Sequence, residues 1–471
     1  MSFRLPGRIH MIGAGGINMS GLAKLLVKAG VIVSASDITK SEITDELKKK
    51  GIDVKIGHAK KNIPADAELV IYSSACPDTN LERVEARARQ LRQINNFQFL
   101  GEMTEDRHTV LVCGTHGKST TTALVGSMLI EGGLNPTVIV GTRVPGFKDR
   151  NAYLGGEEIF VIEGDEYAKH FLAFHPTAVI LNNIELDHTD VFPDIESLMQ
   201  TFQELLTHVQ PKGIVIANAN DPHIQTLIGQ ERSRLEARGI TIKTFGFGSH
   251  ADIQIADVTN KPGAQLFAVR DDQGLVSRFT LQLPGRMNVM NATGALTLAL
   301  QLGVSGDAIR RVLESFEGVW RRFERIADYH NMLVISDYAH HPTAIAATLE
   351  AAKQFYPGRR IVLCFQPHHR HRTKHLFLDF VPSFDKADVL ILTEIYDVAG
   401  RDDSQDQDIS SRDLEQAIMH HDADRGVKRL VEYAANPEEA LQTLRRLRVA
   451  GDVILVMGAG DIYLIANKVL E

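Results

Sequence analysis

Short apolar runs alternate with segments of helical periodicity along most of the chain. The runs are continuous, which is typical of strands buried on both faces of a parallel sheet. They predict strands at residues 8–15 (ending in a glycine turn), 31–37, 69–75, 159–166, 177–185, 213–221, 332–339, 360–365, 388–396 and 452–460, and another that begins at Val110. Helices are predicted at 18–29, 43–51 and 291–304 and after Lys118. This alternation indicates an α/β fold.

Residues 250–283 have a different pattern. Three short apolar segments are separated there by glycine or polar turns, which predicts a small antiparallel patch. The strand–helix alternation restarts near Arg107 and again near Gly318. We therefore predict three α/β domains, at residues 1–106, 107–317 and 318–471. The polar segment 400–410 predicts a mobile loop.

Composition narrows the class of protein. The chain has 471 residues, which suits three domains at about 150 residues each. Its net charge of -8 argues against a general nucleic-acid-binding surface. It contains no apolar run long enough for a membrane span, and its N-terminus lacks the apolar core of a signal peptide. The three cysteines are far apart, so we expect reduced thiols and a cytoplasmic protein.

The segment VLVCGTHGKSTTTALVGSML has the order that a phosphate site needs: strand, glycine loop, Lys-Ser, helix. Glycines let backbone N–H groups face an anion, and the helix N-terminus favours negative charge. Lys118 would reach the β- and γ-phosphates of a nucleotide, and the Ser119 hydroxyl would ligate Mg²⁺. Only two residues separate Gly114 from Gly117, so the loop is shorter than the standard template. The alternative is a plain strand-to-helix turn with a solvated lysine.

Carboxylates and a histidine follow the next two predicted strands. Glu163, Asp165 and Glu166 end one, and the segment from Asn183 to His188 ends the other. Carboxyl ends of parallel strands share one edge of a sheet, where ligands bind. Oxygen ligands there would suit Mg²⁺. The alternative is a set of solvated acids and a hydrogen-bonded histidine.

The short loop G-T-x-G-K-S/T resembles that of the Mur ligase family, which builds the peptide of bacterial cell-wall precursors. The family pattern E-x-D-E is met at 163–166 and N-I-E-x-D-H at 183–188. The resemblance implies that Glu163 and His188 are metal-site residues and that Asn183 lines the substrate site. It assigns the nucleotide loop to Gly114, Thr115, His116, Gly117, Lys118, Ser119 and Thr120. Residues 189–208 contain no lysine, as in the branch that adds the first amino acid.

The first predicted domain begins with GAGGINMSG, residues 13–21. A strict dinucleotide fingerprint would need glycine at position 18, which is Asn18, so an NAD site stays only an alternative. Asp37 ends the second strand, where it would suit a ribose hydroxyl. The segment is similar to the family's uridine-diphosphate sugar site. That similarity implies substrate binding by Gly15, Gly16, Asn18, Ser20, Asp37 and Ser74, with Gly13, Ser36 and Ser73 completing the motifs.

The chain from residue 283 onward carries further family motifs. The segment after Leu-Pro-Gly-Arg resembles G-R-H-N-x-x-N, with Met287 at the family's histidine, and implies that Asn288 and Asn291 approach the adenine. The segment GVWRRFE implies that Arg322 reaches the γ-phosphate. Asp337, Tyr338 and His340 match substrate-site positions in SDYAHHPT. The alternative for SDYAHHPT is a turn without a role in binding or catalysis. A zinc site is disfavoured because no H-E-x-x-H spacing or cysteine partner is present.

A basic stretch, FQPHHRHRT, follows the strand at 360–365. A sugar carboxylate or diphosphate would explain so many positive groups, and a solvated basic loop is the alternative. The family form F-Q-P-H-R-Y-S-R-T is matched by His368, Arg372 and Thr373, while His369 and Arg370 depart from it. The resemblance implies substrate binding by His368 and Arg372.

Together the motifs imply Rossmann-like N- and C-terminal domains and a central domain similar to P-loop ATPases. They imply an amide-forming ligase that uses ATP and Mg²⁺ to join L-alanine to UDP-N-acetylmuramate, as a monomer or homodimer without nucleic-acid or membrane partners. The implied catalytic residues are Lys118, Glu163, His188, Arg322, Asp337 and His340, with Ser119, Glu163 and His188 at the metal. Alternatives are a recycling ligase that attaches a tripeptide to the same sugar, a nucleotide-binding regulatory protein without ligase activity, and an NAD-dependent oxidoreductase.

Overall fold

The computed structural model describes residues 4–189, 191–248, 250–271, 273–329, 331–397 and 406–471. Residues 400–405 of the predicted polar loop lie outside these ranges. The described residues form two compact units. The first unit comprises those within 1–184, 199–253 and 294–312, and the second comprises those within 185–198, 254–293 and 313–471.

A five-stranded parallel sheet forms the N-terminal part of the first unit. Its strands are β1 (Arg8–Ile12), β2 (Ile32–Asp37), β3 (Asp53–Ile56), β4 (Leu69–Tyr72) and β5 (Arg92–Asn95), in the spatial order β3-β2-β1-β4-β5. The connections hold helices α1 (Ile17–Lys28), α2 (Glu42–Lys49), α3 (Leu81–Ala88) and α4 (Asn96–Thr104) and a 3₁₀ turn, Lys60–Asn62. Helix α2 begins after Ser41, whose side chain accepts the N–H of Thr44 in a capping box.

A second sheet of the first unit carries the predicted nucleotide loop. Its strands are β6 (His108–Cys113), β7 (Thr137–Ile139), β8 (Ala152–Tyr153), β9 (Ile159–Glu163), β10 (Ala178–Leu181), β11 (Ile214–Asn218) and β12 (Thr241–Phe247), in the order β12-β11-β10-β6-β9-β7-β8. The pairings are parallel except that of β7 with β8. Helices α5 (Lys118–Glu131), α6 (Ile195–His208) and α7 (Pro222–Ala237) and a 3₁₀ segment, Tyr167–Ala173, connect them.

The second unit contains the predicted antiparallel patch and a six-stranded sheet. The patch is β13 (Ile253–Lys261), β14 (Ala264–Arg270) and β15 (Val276–Leu281). The sheet has β16 (Glu324–Tyr329), β17 (Met332–Asp337), β18 (Ile361–Phe365), β19 (Val389–Thr393), β20 (Leu430–Ala434) and β21 (Val453–Met457), in the order β16-β17-β21-β18-β19-β20. Only β16 and β17 pair antiparallel.

Helices complete the C-terminal half of the chain. Two of them, α8 (Arg286–Gln301) and α9 (Gly306–Ser315), contain residues of both units, as does α6. The others are α10 (Pro342–Phe355), α11 (Arg370–His375), α12 (Phe377–Ser383), α13 (Ser411–Asp424) and α14 (Pro437–Leu447), with a 3₁₀ segment at Ile462–Lys468. Strands β17, β18, β19 and β21 supply much of the buried core between these helices. Within the described ranges no helix is both long and apolar enough to cross a membrane.

The predicted α/β class, with parallel sheets and an antiparallel patch, is confirmed. The predicted start of the helix at residue 291 is wrong, because α8 begins at Arg286, directly after the positive-φ Gly285. Strands β3, β5, β12, β16 and β20 were not predicted, since each mixes exposed or partly exposed residues into its run. Strands β7 and β8 were also not predicted, because they have only three and two residues. The domain limits at residues 106 and 317 stay predictions.

A fully buried carboxylate ties the first sheet to helix α3. The side chain of Glu82 accepts hydrogen bonds from His10 Nε2 (3.2 Å), Asn62 Nδ2 (2.6 Å) and the N–H of Ala59 (3.1 Å), and from the hydroxyl of Ser36. Burial opposes the charged form, but these donors outweigh it and lower the pKa of Glu82 to about 2. The group therefore stabilises the fold as a carboxylate.

Replacing this carboxylate should destabilise the protein in a pH-dependent way. Because the pKa of Glu82 is lowered on folding, its contribution is full above about pH 5 and is lost as the pH falls toward 2. We expect Glu82→Gln to reduce the free energy of unfolding by on the order of 3 kcal/mol at pH 7 and by progressively less below pH 4.5. Urea unfolding across this pH range measures the difference.

The matched control is Glu85→Gln on the same helix, which makes the same change of charge at a partly exposed position. It should change the free energy of unfolding by less than about 0.5 kcal/mol. A loss of stability in Glu82→Gln that does not depend on pH would contradict the proposed ionisation.

Candidate functional site

The loop after β6 packs closely against the backbone at the end of β10. Gly114 has a φ of +136°, and a Cβ atom there would lie 2.9 Å from the backbone N and O atoms of Asn183. The side-chain amide of Asn183 accepts the N–H of His116 (2.7 Å) and donates to its carbonyl (3.0 Å). The N–H of Thr115 also donates to the Asn183 carbonyl. Only glycine fits at 114, which explains how so short a loop turns.

Both ends of the Asn183 amide hold the loop at His116 in this structure. The predicted contact of Asn183 with substrate stays a prediction.

Lys118 opens helix α5 directly after Gly117, which has a φ of +80°. Its ammonium group donates to the carbonyls of Gly114 (2.7 Å) and Thr115 (3.3 Å) and to both carboxylate oxygens of Glu166 (2.9 and 2.8 Å). Burial opposes its charge, but Glu166 and the neighbouring acids outweigh burial and raise the pKa of Lys118. The loop therefore holds a positive charge at a helix N-terminus, which suits a phosphate.

Glu163 and Ser119 lie side by side next to the loop. The Ser119 hydroxyl donates to one oxygen of Glu163 (2.9 Å), and the N–H of Gly141 donates to the other (2.7 Å). A hydroxyl and a carboxylate oxygen are the hard ligands that Mg²⁺ prefers, so these side chains fit a magnesium site. Thr120, predicted to contact nucleotide, is buried in the same first turn of α5.

The turn after β1 combines glycines with a carboxylate. Helix α1 begins after Gly16, and the N–H of Gly15 donates to Asp37 (2.7 Å), which also accepts the N–H of Thr39. A Cβ atom on Gly15 would lie 2.7 Å from a carboxylate oxygen of Asp37, so a side chain there would require that carboxylate to move. In this structure the carboxylate shapes the turn, and the prediction that Asp37 binds a ribose hydroxyl stays a prediction.

Three other residues were predicted to bind the sugar nucleotide. Asn18 and Glu163 line the same small cavity, of about 10 Å³, in the first unit. Ser74 is exposed after β4. Ser20 is buried; its hydroxyl donates to the Ile17 carbonyl (2.8 Å) and accepts from the side chain of Asn151 (3.2 Å). Its predicted contact with the sugar nucleotide stays a prediction.

In the second unit, an arginine pair follows the antiparallel patch. Arg322 lies over the ring of Tyr338, with 4.8 Å from its guanidinium carbon to the ring centroid. Asp337 ends β17, and its two oxygens accept the N–H groups of Phe323 (2.7 Å) and Ala339 (2.8 Å). Burial raises the pKa of Asp337, although Arg322 opposes this. The carboxylate of Asp337 fixes the backbone beside Arg322, and its predicted catalytic role stays a prediction.

A buried ion pair includes an arginine of the predicted basic stretch, FQPHHRHRT. Arg372 donates through Nε (2.9 Å) and Nη2 (2.8 Å) to one oxygen of Asp187, and both side chains are buried. Burial opposes the charge of Asp187, but Arg372 outweighs it and holds the pKa of that carboxyl well below its usual range. In this structure Arg372 pairs with Asp187, and its predicted contact with substrate stays a prediction.

Two histidines accompany this pair. His340 Nε2 lies 3.9 Å from Asp187, and the His340 Nδ1 is 2.9 Å from the carbonyl of Tyr338. Burial, together with Arg372, lowers the pKa of His340 well below its ordinary value, so its ring is neutral at pH 7. His368 stacks on the ring of Tyr396 at 5.7 Å. The structure thus brings His340, His368 and Arg372 together in the second unit.

The predicted adenine residues lie in the first turns of α8. The side chain of Asn288 donates to the carbonyl of Pro284 (2.8 Å), and that of Asn291 donates to Asn288 (3.3 Å); both residues are buried. His188 also belongs to the second unit, has a φ of +53°, and donates its N–H to Asp187 (2.6 Å). Its predicted role as a metal ligand with Glu163 stays a prediction.

Three family models match almost the whole chain. They are the Mur ligase family catalytic domain over residues 8–108, the Mur ligase middle domain over 112–299, and the Mur ligase glutamate ligase domain over 321–460. The chain belongs to the Mur ligase family. Members of this family are ATP-dependent ligases, and so is this chain.

Individual relatives agree with this membership. The UDP-N-acetylmuramate–L-alanine ligase of Solibacter usitatus is 37% identical over 471 residues, 100% of this chain and 96% of that protein. The ligase of the same name from Salinibacter ruber is 36% identical, covering 98% and 94%. Among solved structures, the UDP-N-acetylmuramate-alanine ligase of Thermotoga maritima matches with a TM-score of 0.81 at 26% identity, covering 98% of both chains. A murein peptide ligase from Psychrobacter arcticus shares the fold, with a TM-score of 0.70 at 23% identity over 99% and 98%.

Some Mur ligase site residues were not singled out from sequence. Glu166 and Asp187 lie in the quoted motifs, but only the structure shows that they pair with Lys118 and Arg372. Asn182, whose side chain donates to Thr121 (3.0 Å), gave no signal beyond its neighbour Asn183. Pairing across strands has no local signature in one sequence.

A methyl group at Gly114 should disrupt nucleotide binding. In Gly114→Ala the added Cβ would collide with the backbone of Asn183, so the loop must move away from β10. We expect ATP affinity to fall at least about tenfold, because a shift of the loop misplaces the N–H groups and Lys118. Isothermal titration calorimetry with ATP measures this.

Gly133→Ala is the matched control, because Gly133 also has a positive φ (+80°) but a Cβ there would meet nothing within 4 Å. It tests for the effect of backbone strain alone. Equal affinities in the two variants would show that the close approach at Gly114 is unimportant for nucleotide binding.

Proposed function

We propose that this Mur ligase joins L-alanine to the lactyl carboxylate of UDP-N-acetylmuramate, using ATP, in peptidoglycan precursor synthesis. The observation that carries the proposal is the 37% identity with a UDP-N-acetylmuramate–L-alanine ligase over the full 471 residues. Relatives of the same name extend over at least 97% of the chain at 34% identity or more. We place the protein in the cytoplasm, acting on small molecules as a monomer or homodimer.

The chemistry requires an activated carboxylate, because oxide is too poor a leaving group for direct attack by an amine. Transfer of the γ-phosphoryl group of ATP to a carboxylate oxygen gives an acyl phosphate and ADP. The amine of L-alanine then attacks the carbonyl carbon, the amine loses a proton, and inorganic phosphate leaves as the amide forms. The protein must therefore hold a triphosphate and stabilise the charge on its terminal oxygens.

The loop at residues 114–118 in the first unit has properties that suit triphosphate binding. Lys118 is charged, half-buried and held at the start of α5, and the N–H groups of the short loop are fixed by Asn183. In binding ATP, phosphate oxygens would take the place of Glu166 as partners of the ammonium group. The roles of Arg322 at the γ-phosphate and of Asn288 and Asn291 at the adenine come from the family resemblance.

Magnesium fits beside this loop. We propose that Ser119 and Glu163 hold it, with His188 at the second metal position of the family. When bound, Mg²⁺ offsets negative charge on the phosphoryl oxygens. Glu163 is pre-oriented for this by the N–H of Gly141.

In the second unit, the groups around Arg372 suit the organic substrates. Arg372 and Asp187 form a rigid, buried pair, and His340 and His368 lie beside it. A neutral His340 leaves one ring nitrogen able to accept a hydrogen bond at pH 7, whereas a charged imidazole only donates. We propose that Tyr338, His340, His368 and Arg372 contact substrate.

A paired-substrate assay tests the function. Purified protein with ATP, Mg²⁺ and UDP-N-acetylmuramate should release phosphate when L-alanine is added and should not when the L-Ala-γ-D-Glu-meso-diaminopimelate tripeptide is added. Lys118→Ala should lower the rate at least about 100-fold, since it removes a charge from the phosphoryl oxygens. Release with the tripeptide alone would identify a recycling ligase, and ATP binding without turnover would identify a regulatory protein.

Loss of the Glu163 charge should weaken magnesium binding. We expect Glu163→Gln to raise the Mg²⁺ concentration for half-maximal phosphate release by about tenfold or more, because an amide is a weaker ligand than a carboxylate. Glu158→Gln, an exposed position at the start of the same strand, is the control and should leave the Mg²⁺ dependence unchanged. An unaltered Mg²⁺ requirement in Glu163→Gln would exclude Glu163 as a ligand.

A further inference from the structure

A second cavity in the first unit lies at the opposite end of α1 from the glycine turn. Its volume is about 310 Å³, and we call it the lysine cavity. It is lined by Lys24, Val27, Lys28, Lys50, Lys148, Asp149 and Leu154. Helix α1 starts at Ile17 beside the glycine turn, and Lys28 is its last residue. The cavity is therefore separate from the loop at Lys118 and from the turn after β1.

The lining carries a local excess of positive charge. Four lysines face one carboxylate, that of Asp149. The next charged groups out are Arg143 and Arg150, which pair with Glu42 and Glu46 and so leave the balance unchanged. The cavity has a net charge of about +3 in a chain whose net charge is -8. Such a local reversal of sign attracts anions.

Neutral oxygen atoms, rather than carboxylates, hold two of these lysines. Lys24 donates to the Asp149 carbonyl (2.9 Å) and the side-chain oxygen of Asn151 (2.8 Å), and its nearest carboxylate is 3.7 Å away on Glu46. Lys28 donates to the carbonyls of Leu154 and Gly155. These bonds fix the ammonium groups in place without cancelling their charge. The Lys28 ammonium has three hydrogens and two acceptors here, so one hydrogen remains for a ligand.

The other two lysines that line the cavity are Lys50 and Lys148. Lys50 reaches the carboxylate of Asp149 from the end of α2, and Lys148 is exposed to solvent. Val27 and Leu154 add an apolar wall. A cavity of this size falls at the lower limit for small-molecule sites. Its shape and charge suit a compact ligand with two or more negative charges.

We propose that the lysine cavity binds a small polyanion, either a phosphate-bearing molecule or a polycarboxylate. Lys24 and Lys28 lie in helix α1, and Lys50 directly follows helix α2. The atoms that accept their hydrogen bonds belong to residues 149–155, around strand β8 of the second sheet. A bound anion would add to this junction and stabilise it. The proposal does not depend on which amino acid the ligase uses.

Calorimetry with pyrophosphate and with citrate tests the proposal. The full-length chain is used in a Lys118→Ala background without Mg²⁺, which removes the competing loop. We expect saturable binding of one equivalent, weakened at least fivefold by Lys148→Gln, and a rise in the melting temperature with ligand. Binding of pyrophosphate alone would identify a phosphate-bearing ligand, and binding of citrate alone a polycarboxylate.

Lys212→Gln is the matched control, because Lys212 is an exposed lysine of the same unit outside the cavity lining. It makes the same change of charge and should leave the affinity unchanged. The proposal is overturned if neither probe binds at millimolar concentration in low salt. It is also overturned if Lys148→Gln and Lys212→Gln weaken binding equally, since that would indicate only a non-specific attraction.

Discussion

The close approach between the loop at Gly114 and the backbone of Asn183 is the constraint on which the nucleotide site depends. A side chain at 114 would occupy the space of the Asn183 backbone, so the loop can cross the end of β10 only as glycine. That crossing places the His116 peptide within reach of the Asn183 amide and puts Lys118 at the first position of α5. The groups that we propose to bind phosphate are thereby fixed by the geometry of the backbone.

Much of the fold follows from the sequence because its central strands are buried on both faces. Strands such as β6, β10 and β18 consist largely of continuous apolar runs. Such runs are typical of strands that are buried on both faces of a parallel sheet. The edge strands β3 and β20 have exposed residues and lack this signal. Their positions are determined by pairing with a neighbouring strand, and one sequence carries no trace of that partner.

The candidate site was predictable as a set of residues but much less so as a set of contacts. Family motifs identified Asn183, Asp37, Asp337 and Arg372. In the structure each is engaged inside the protein: two hold backbone N–H groups, one holds the loop, and one holds a buried carboxylate. A motif shows that a residue type is required at a position. It does not distinguish a residue that touches the ligand from one that shapes the surface around it.

The buried charges explain why so many of these residues act within the protein. A lone ammonium or carboxylate is costly to remove from water, and breaking a buried pair costs about 3–5 kcal/mol. Lys118 therefore needs Glu166 when the loop holds no phosphate, and Asp187 needs Arg372. If the loop binds a triphosphate as proposed, phosphate oxygens would replace Glu166 as partners of Lys118, and only the difference between the two partners would contribute to affinity. This exchange would keep the lysine charged and oriented in either state and would favour a highly charged anion.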